Sequence, residues 1–208
     1  MIQDIWPKHL DNQYKNLKPG NEDTVFYFQG SSLLARPSGH FNLQNSEENV
    51  LIYPQYDEFV QGIKSSYGDK AVDNFEFIYL LSIDEEHFFL ARKTGSLERG
   101  TFLGEMADSA VHKDMYSFVR EYEFIGVDSF RKAQPREHAY AAITAFHLYG
   151  WYRDNHFCGR CGKPLKHDDK QRMLRCDCCK NMVFPKICPA VIVAVTDKDR
   201  ILLTKYAG

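Results

Sequence analysis

Five of the six cysteines fall between Cys158 and Cys179. They form two Cys-x-x-Cys pairs, Cys158 with Cys161 and Cys176 with Cys179, with 14 residues between the pairs. Four thiolates on two tight turns can enclose one Zn²⁺ as a tetrahedron, with Zn–S distances of about 2.3 Å. Gly159 and Gly162 leave the backbone free to turn and to aim N–H groups at the sulfurs. Cys178 stands as the alternative ligand in the second pair. A four-thiolate site has no position left for water or substrate, so the metal would be structural, and its binding would be coupled to folding. Disulfides are the competing use of such cysteines. The N-terminus MIQDIWPKHLDNQ has no apolar core of an export signal, so the expected compartment is the cytoplasm and the expected use is metal.

Charge is concentrated around the same cysteines. The chain of 208 residues has a net charge of -2. Residues 150–186 hold nine Lys/Arg and four Asp, a surplus of five. A local positive field suits a phosphate-bearing ligand; a solvated surface on a small metal module accounts for the same charges. Aromatic content of 14% is enough for a sizeable core, and no apolar run is long enough to span a membrane as a helix.

The elements that must hold the cysteines read as α+β. Thr24 to Gln29 is aromatic and β-branched and predicts a strand, with Ser32 to Arg36 its hairpin partner. Phe75 to Ile83 and His87 to Arg92 predict a hairpin across Asp84-Glu85-Glu86. Residues 1–20 read as a polar lead-in, residues 37–49 as a loop, and Tyr116 to Glu123 as either helix or strand. Pro135 suits the first turn of a helix over 136–153, whose apolar stripe is Ala139, Ala142, Ile143, Phe146, Tyr149 and Trp151. Lys163 to Arg175 can form a hairpin between the two cysteine pairs. Val191 to Val195 reads as a buried strand, Asp197-Lys198-Asp199 as a turn, and Arg200 to Thr204 as the returning strand. That hairpin would open a further domain.

Residues 136–208 resemble the NADH pyrophosphatase branch of the Nudix hydrolases. The resemblance is carried by the helix ending in Trp151, His156-Phe157, the two cysteine knuckles, Phe184-Pro185, Pro189-Ala190-Val191-Ile192-Val193 and Ile201-Leu202-Leu203. It implies a Nudix-like domain over 1–134, a connecting helix over 135–156, a zinc ribbon over 157–185 and the start of a catalytic Nudix domain over 186–208. The implied chemistry is hydrolysis of NAD(H) to a nicotinamide mononucleotide and AMP, and for some members removal of NAD caps from RNA, in a homodimer. The catalytic glutamates of the Nudix box would hold Mg²⁺ or Mn²⁺.

The box is missing from this sequence. Arg120-Glu121 puts Phe124 and Ile125 where paired acids belong, and Arg136-Glu137 puts Tyr140 and Ala141 there. The chain as given is therefore expected to be inactive, a portion that stops before the catalytic helix. The resemblance places substrate-contacting roles on Gln171, Phe184 and Arg131, with Gln171 and Phe184 replacing an acid and a Tyr, and with Cys188 as a buried thiol where an acid is common. The competing account is a zinc-ribbon module that binds nucleic acid or a protein partner.

Overall fold

A computed structural model describes residues 4–38, 50–94, 121–186, 191 and 193–203. Its centre is a mixed sheet. The strands are β1 (Leu10–Asp11), β2 (Thr24–Gln29), β3 (Ser32–Ser38), β4 (Val50–Ile52), β5 (Phe75–Ile83), β6 (Glu86–Lys93) and β7 (Glu123–Gly126). Their order is β1-β5-β6-β2-β3-β4, and β7 also pairs with β3. Every pairing is antiparallel except β2 with β6, which runs parallel from Thr24↔Phe88 to Tyr27↔Ala91.

Alternation along β2 divides the core between the two faces of the sheet. Val25 and Tyr27 point to the side covered by α1 (Tyr56–Tyr67), where they meet Phe59 and Ile63. Phe26 and Phe28 point to the side covered by α2 (Arg136–Asp154), where Ala139, Ala142, Ala145 and Leu148 are buried. Small residues on α2 bring its backbone close to the aromatic face, so Phe28 stacks on Tyr149 at 5.1 Å. The α+β class is met by this arrangement.

Beyond α2 the chain forms a three-stranded antiparallel sheet, β8 (Leu165–His167), β9 (Leu174–Cys176) and β10 (Met182–Val183), in the order β10-β9-β8. A two-stranded ribbon follows, β11 (Thr196–Asp197) with β12 (Arg200–Ile201).

The hairpins predicted over 24–36 and 75–92 and the helix over 136–153 are present. Several expectations change. The lead-in is not free, because Leu10 and Asp11 pair with Ile83 and Ser82. The loop reading begins too early, since β3 runs to Ser38; residues 39–49 lie outside the described residues. The stretch from Tyr116 ends in strand at Glu123, and residues 116–120 lie outside the description. Pro135 caps the helix rather than joining its first turn; its ψ of 148° is extended, and helical geometry starts at Arg136. Within the stripe, Ala139, Ala142 and Trp151 are buried while Ile143, Phe146 and Tyr149 are half-buried against the core.

The buried-strand reading of 191–195 is overturned. Val191, Val193 and Val195 are 84%, 75% and 55% exposed. These residues lead into the isolated two-stranded ribbon, which has no layer over its faces, so the apolar run is not matched by burial. Ile187, Cys188, Pro189, Ala190, Ile192 and Thr204 lie outside the described residues.

Candidate metal centre and its junction with the sheet

The Sγ atoms of Cys158, Cys161, Cys176 and Cys179 all lie within 4.8 Å of one another. Cys158 to Cys179 is 3.5 Å and Cys161 to Cys176 is 3.4 Å. The edge of a Zn–S tetrahedron is about 3.8 Å, from Zn–S distances near 2.3 Å. These two separations are slightly shorter than that edge, and the donor set fits a thiophilic metal such as Zn²⁺.

The two loops that present these sulfurs repeat one geometry. The Cys158 N–H donates to the Lys163 carbonyl at 2.8 Å, and the Gly162 N–H donates back to the Cys158 carbonyl at 2.8 Å. In the second loop the Cys176 N–H donates to the Asn181 carbonyl and the Lys180 N–H to the Cys176 carbonyl, both at 2.9 Å. Amides of Arg160 and Cys161 point at the Cys158 sulfur, and those of Cys178 and Cys179 at the Cys176 sulfur. The Lys163 and Asn181 amides serve Cys161 and Cys179 in the same way. Each loop closes through a left-handed residue, Gly162 at φ 68° and Lys180 at φ 59°.

This repeat explains the third cysteine of the second loop. Cys178 contributes its backbone N–H to Cys176, while its thiol is exposed and outside the tetrad. The side-chain amide of Asn181 adds a contact to the Cys158 sulfur at 3.7 Å.

As thiols the four share protons unevenly. Burial opposes a charge on Cys158, but the Arg160 and Cys161 amides and the neighbouring thiols outweigh it and hold its pKa at about 6. The Lys163 amide lowers Cys161, yet bonds to the Cys176, Cys179 and Cys158 thiols, with burial, push it up to about 12. One thiolate thus discourages the next, and a divalent cation at the centre would remove that conflict.

The module is anchored to the sheet by side chains that the sequence did not single out. Tyr152, fully buried near the end of α2, lies with its hydroxyl 2.7 Å from Nε2 of His167 on β8. The Nδ1 of His167 is 2.8 Å from the Asp168 carbonyl and 3.5 Å from the Tyr14 hydroxyl. A carbonyl only accepts, so Nδ1 carries the proton and Nε2 accepts from Tyr152. Burial, the main cause, lowers the pKa of His167 and favours that neutral form.

Arg172, in the β8–β9 turn, donates to the carbonyl of Leu80 on β5 and lies 5.9 Å from the Tyr14 ring. The ladder between β5 and β6 slips at this point, pairing Tyr79 with Phe89 and Leu81 with Phe88. Leu80 is the extra residue of a β-bulge, which takes its carbonyl out of the ladder and gives it to Arg172. Beside this joint lies a cleft of about 390 Å³ between Tyr14, Asn16, Glu76, Arg92, Lys166 and His167.

The three expected substrate contacts are not brought together. Gln171 is exposed in the β8–β9 turn, Phe184 is 49% exposed after β10, and Arg131 is exposed on the 3-10 turn Val127–Lys132 beside α2. None of them lines that cleft. No periodicity could have found Tyr152, His167 or Arg172; a His and an Arg at opposite ends of a predicted hairpin turn were the available signal.

The arrangement so far defines a four-thiol, metal-competent module seated on the edge of an α+β sheet. No protein-family model matches the chain. Part of it is 38% identical over 55 residues to a Pseudomonas aeruginosa protein named NAD-capped RNA hydrolase NudC, covering 26% of this chain and 20% of that one. The protein of that name from Salmonella typhi is 36% identical over 59 residues, 28% of this chain and 23% of the relative. The matched stretch thus spans about a fifth of the length of these curated relatives.

Proposed function

We propose that this chain is the recognition half of a Nudix-type NAD(H) pyrophosphatase: an N-terminal Nudix-like domain (1–134), a connecting helix (135–156), a zinc ribbon (157–185) and the first strands of a catalytic domain (186–208). The local likeness to NAD-capped RNA hydrolases carries the reading. The tetrad of Cys158, Cys161, Cys176 and Cys179 supports the ribbon, with Zn²⁺ as its structural ion.

The parent enzyme would split the pyrophosphate of NAD(H), or of an NAD cap on RNA, into a nicotinamide mononucleotide and a 5′-adenylate. Mg²⁺ or Mn²⁺ would be held by a Nudix box beyond these residues. Gln171, Phe184 and Arg131 stay proposed substrate contacts, and in a homodimer they would be completed by the rest of the site. This chain alone lacks the box and should be inactive. Incubation with NADH and Mg²⁺ or Mn²⁺, with chromatography for AMP, tests this: no AMP above background is expected, and metal-dependent turnover at an enzyme-like rate overturns it. RNA binding that weakens steeply with salt and does not depend on an NAD cap would favour the basic module as a nucleic-acid reader instead.

A further inference from the structure

The small sheet of the cysteine module has one covered face and one open face. Leu165 lies opposite Cys176, and Leu174 opposite Val183; Leu165, Leu174 and Val183 pack into the main core. The alternate positions point the other way. Lys166 lies opposite Arg175, and Arg175 opposite Met182, so one row crosses all three strands. Phe157 bridges to Pro164, two positions before Lys166, and so joins the same face. Phe157 is 44% and Met182 56% exposed, and Pro164, Lys166 and Arg175 are exposed as well.

The charges of this open face are available. The Arg175 side chain makes no ion pair or hydrogen bond among the described residues, although Asp168 and Asp177 lie within electrostatic reach of it. Lys166 pairs with Asp177 at 2.7 Å, with side chains 73% and 64% exposed. An exposed pair of this kind contributes little, so a phosphate oxygen can take over Lys166 at small cost. Residues 157–186 carry eight Lys/Arg against three Asp, which makes the field over the module positive.

An exposed ring, two cations and an apolar Met on an open sheet match the chemistry of an unpaired nucleotide strand. Its bases stack on the ring and its phosphates meet the cations. Patches that bind proteins deplete Lys and other charges at their centre; here Lys166 and Arg175 hold the centre, with Phe157 and Met182 at the two ends. The row from Lys166 to Met182 crosses two strand spacings, about 10 Å. We propose that this face binds single-stranded nucleic acid over about two or three nucleotides, with a base stacked on Phe157 and phosphates on Lys166 and Arg175. Only two cations take part, which separates this face from a module that binds through its whole basic surplus. The inference does not rest on the hydrolase reading.

A 5′-fluorescent oligouridylate without an NAD cap is the probe, titrated with the intact metal-loaded chain and followed by anisotropy. The expected Kd is about 100 µM at about 50 mM salt, with a log–log salt slope of about -1.4, from 0.7 per cation on a single strand. Phe157→Ala should weaken binding about tenfold and leave the slope unchanged. Phe157→Leu keeps apolar bulk and should weaken it nearly as much, which separates stacking from burial. Lys166→Gln with Arg175→Gln should bring the slope close to zero. All these positions are exposed, so metal content and melting temperature should not change. No binding up to about 1 mM, equal binding of duplex RNA, undiminished binding to Phe157→Leu, or a slope of about -3.5 or steeper would each overturn the proposal. Self-association of the chain that Phe157→Ala abolishes, without RNA binding, would assign the face to a second copy and overturn it as well. None of these readouts depends on hydrolase activity.

Discussion

Replacing Arg172 with Met tests the link between the cysteine module and the sheet. Met keeps the aliphatic stem and leaves little cavity, so the change isolates the guanidinium. Three effects follow from the contacts. The bond to the Leu80 carbonyl involves a charged donor and is worth about 1.5–3 kcal/mol. The contact with the Tyr14 ring adds about 0.5–1 kcal/mol. Against these, the buried and unmatched Arg172 Nε disappears, which returns about 1–2 kcal/mol. The net expected loss lies between about 0 and 3 kcal/mol, centred at about 1.5. Trp151, 9% exposed near the end of α2, reports on the joint, whereas Trp6 is 86% exposed and its surroundings change little on unfolding. Urea titration of metal-loaded protein, followed by tryptophan fluorescence, gives the stability change. Combining Arg172→Met with Tyr14→Leu isolates the ring contact, expected at about 0.5–1 kcal/mol of coupling. A gain in stability, or no coupling between the two changes, would refute the bulge-to-guanidinium account.

The junction also predicts a pH response. His167 has its pKa lowered by burial, so its neutral form contributes stability above the ordinary value near 6.5, and that contribution is lost as pH falls below it toward the folded value. Stability measured from pH 7.5 to 5 should fall toward acid, and less steeply in His167→Gln; equal slopes would remove His167 as the cause. Gly162→Ala should cost about 1 kcal/mol, from backbone strain alone, since φ is 68° and nothing lies within 4 Å of an added Cβ. Lys180→Gly should be neutral or stabilising at the equivalent turn, and both are read by thermal melts of metal-loaded protein. Metal analysis should find one ion per chain, lost in Cys158→Ala and Cys176→Ala but retained in Cys178→Ala; retention in Cys176→Ala would place Cys178 among the ligands.

The sequence was most informative where the physics is local. Two Cys-x-x-Cys pairs predict two tight turns, and the structure brings the same four sulfurs together. The choice of Cys179 over Cys178 rests on spacing alone, and the amide pattern supplies its reason. The β5–β6 hairpin and α2 were legible because alternation and helical periodicity act over a few residues. Helix α1 carried an equally local signal, with Phe59, Val60 and Ile63 on one face and Gly68 just past its end, whereas strand β4 is only three residues long and offered none. The exposed Val191, Val193 and Val195 show the limit of such patterns: they say which residues are apolar, never what covers them.

What tertiary structure alone decided lies in contacts between distant segments. Arg172 meets Leu80 across 92 positions, and the meeting depends on a one-residue slip in a ladder that no composition announces. His167 becomes neutral because Tyr152 and burial surround it, and Tyr53 becomes an unmatched donor because the sheet and helices close over it. A turn is set by the torsions of its own few residues, but burial and hydrogen-bond pairing belong to the whole packed chain, which is why the metal centre could be read from sequence and the cleft could not.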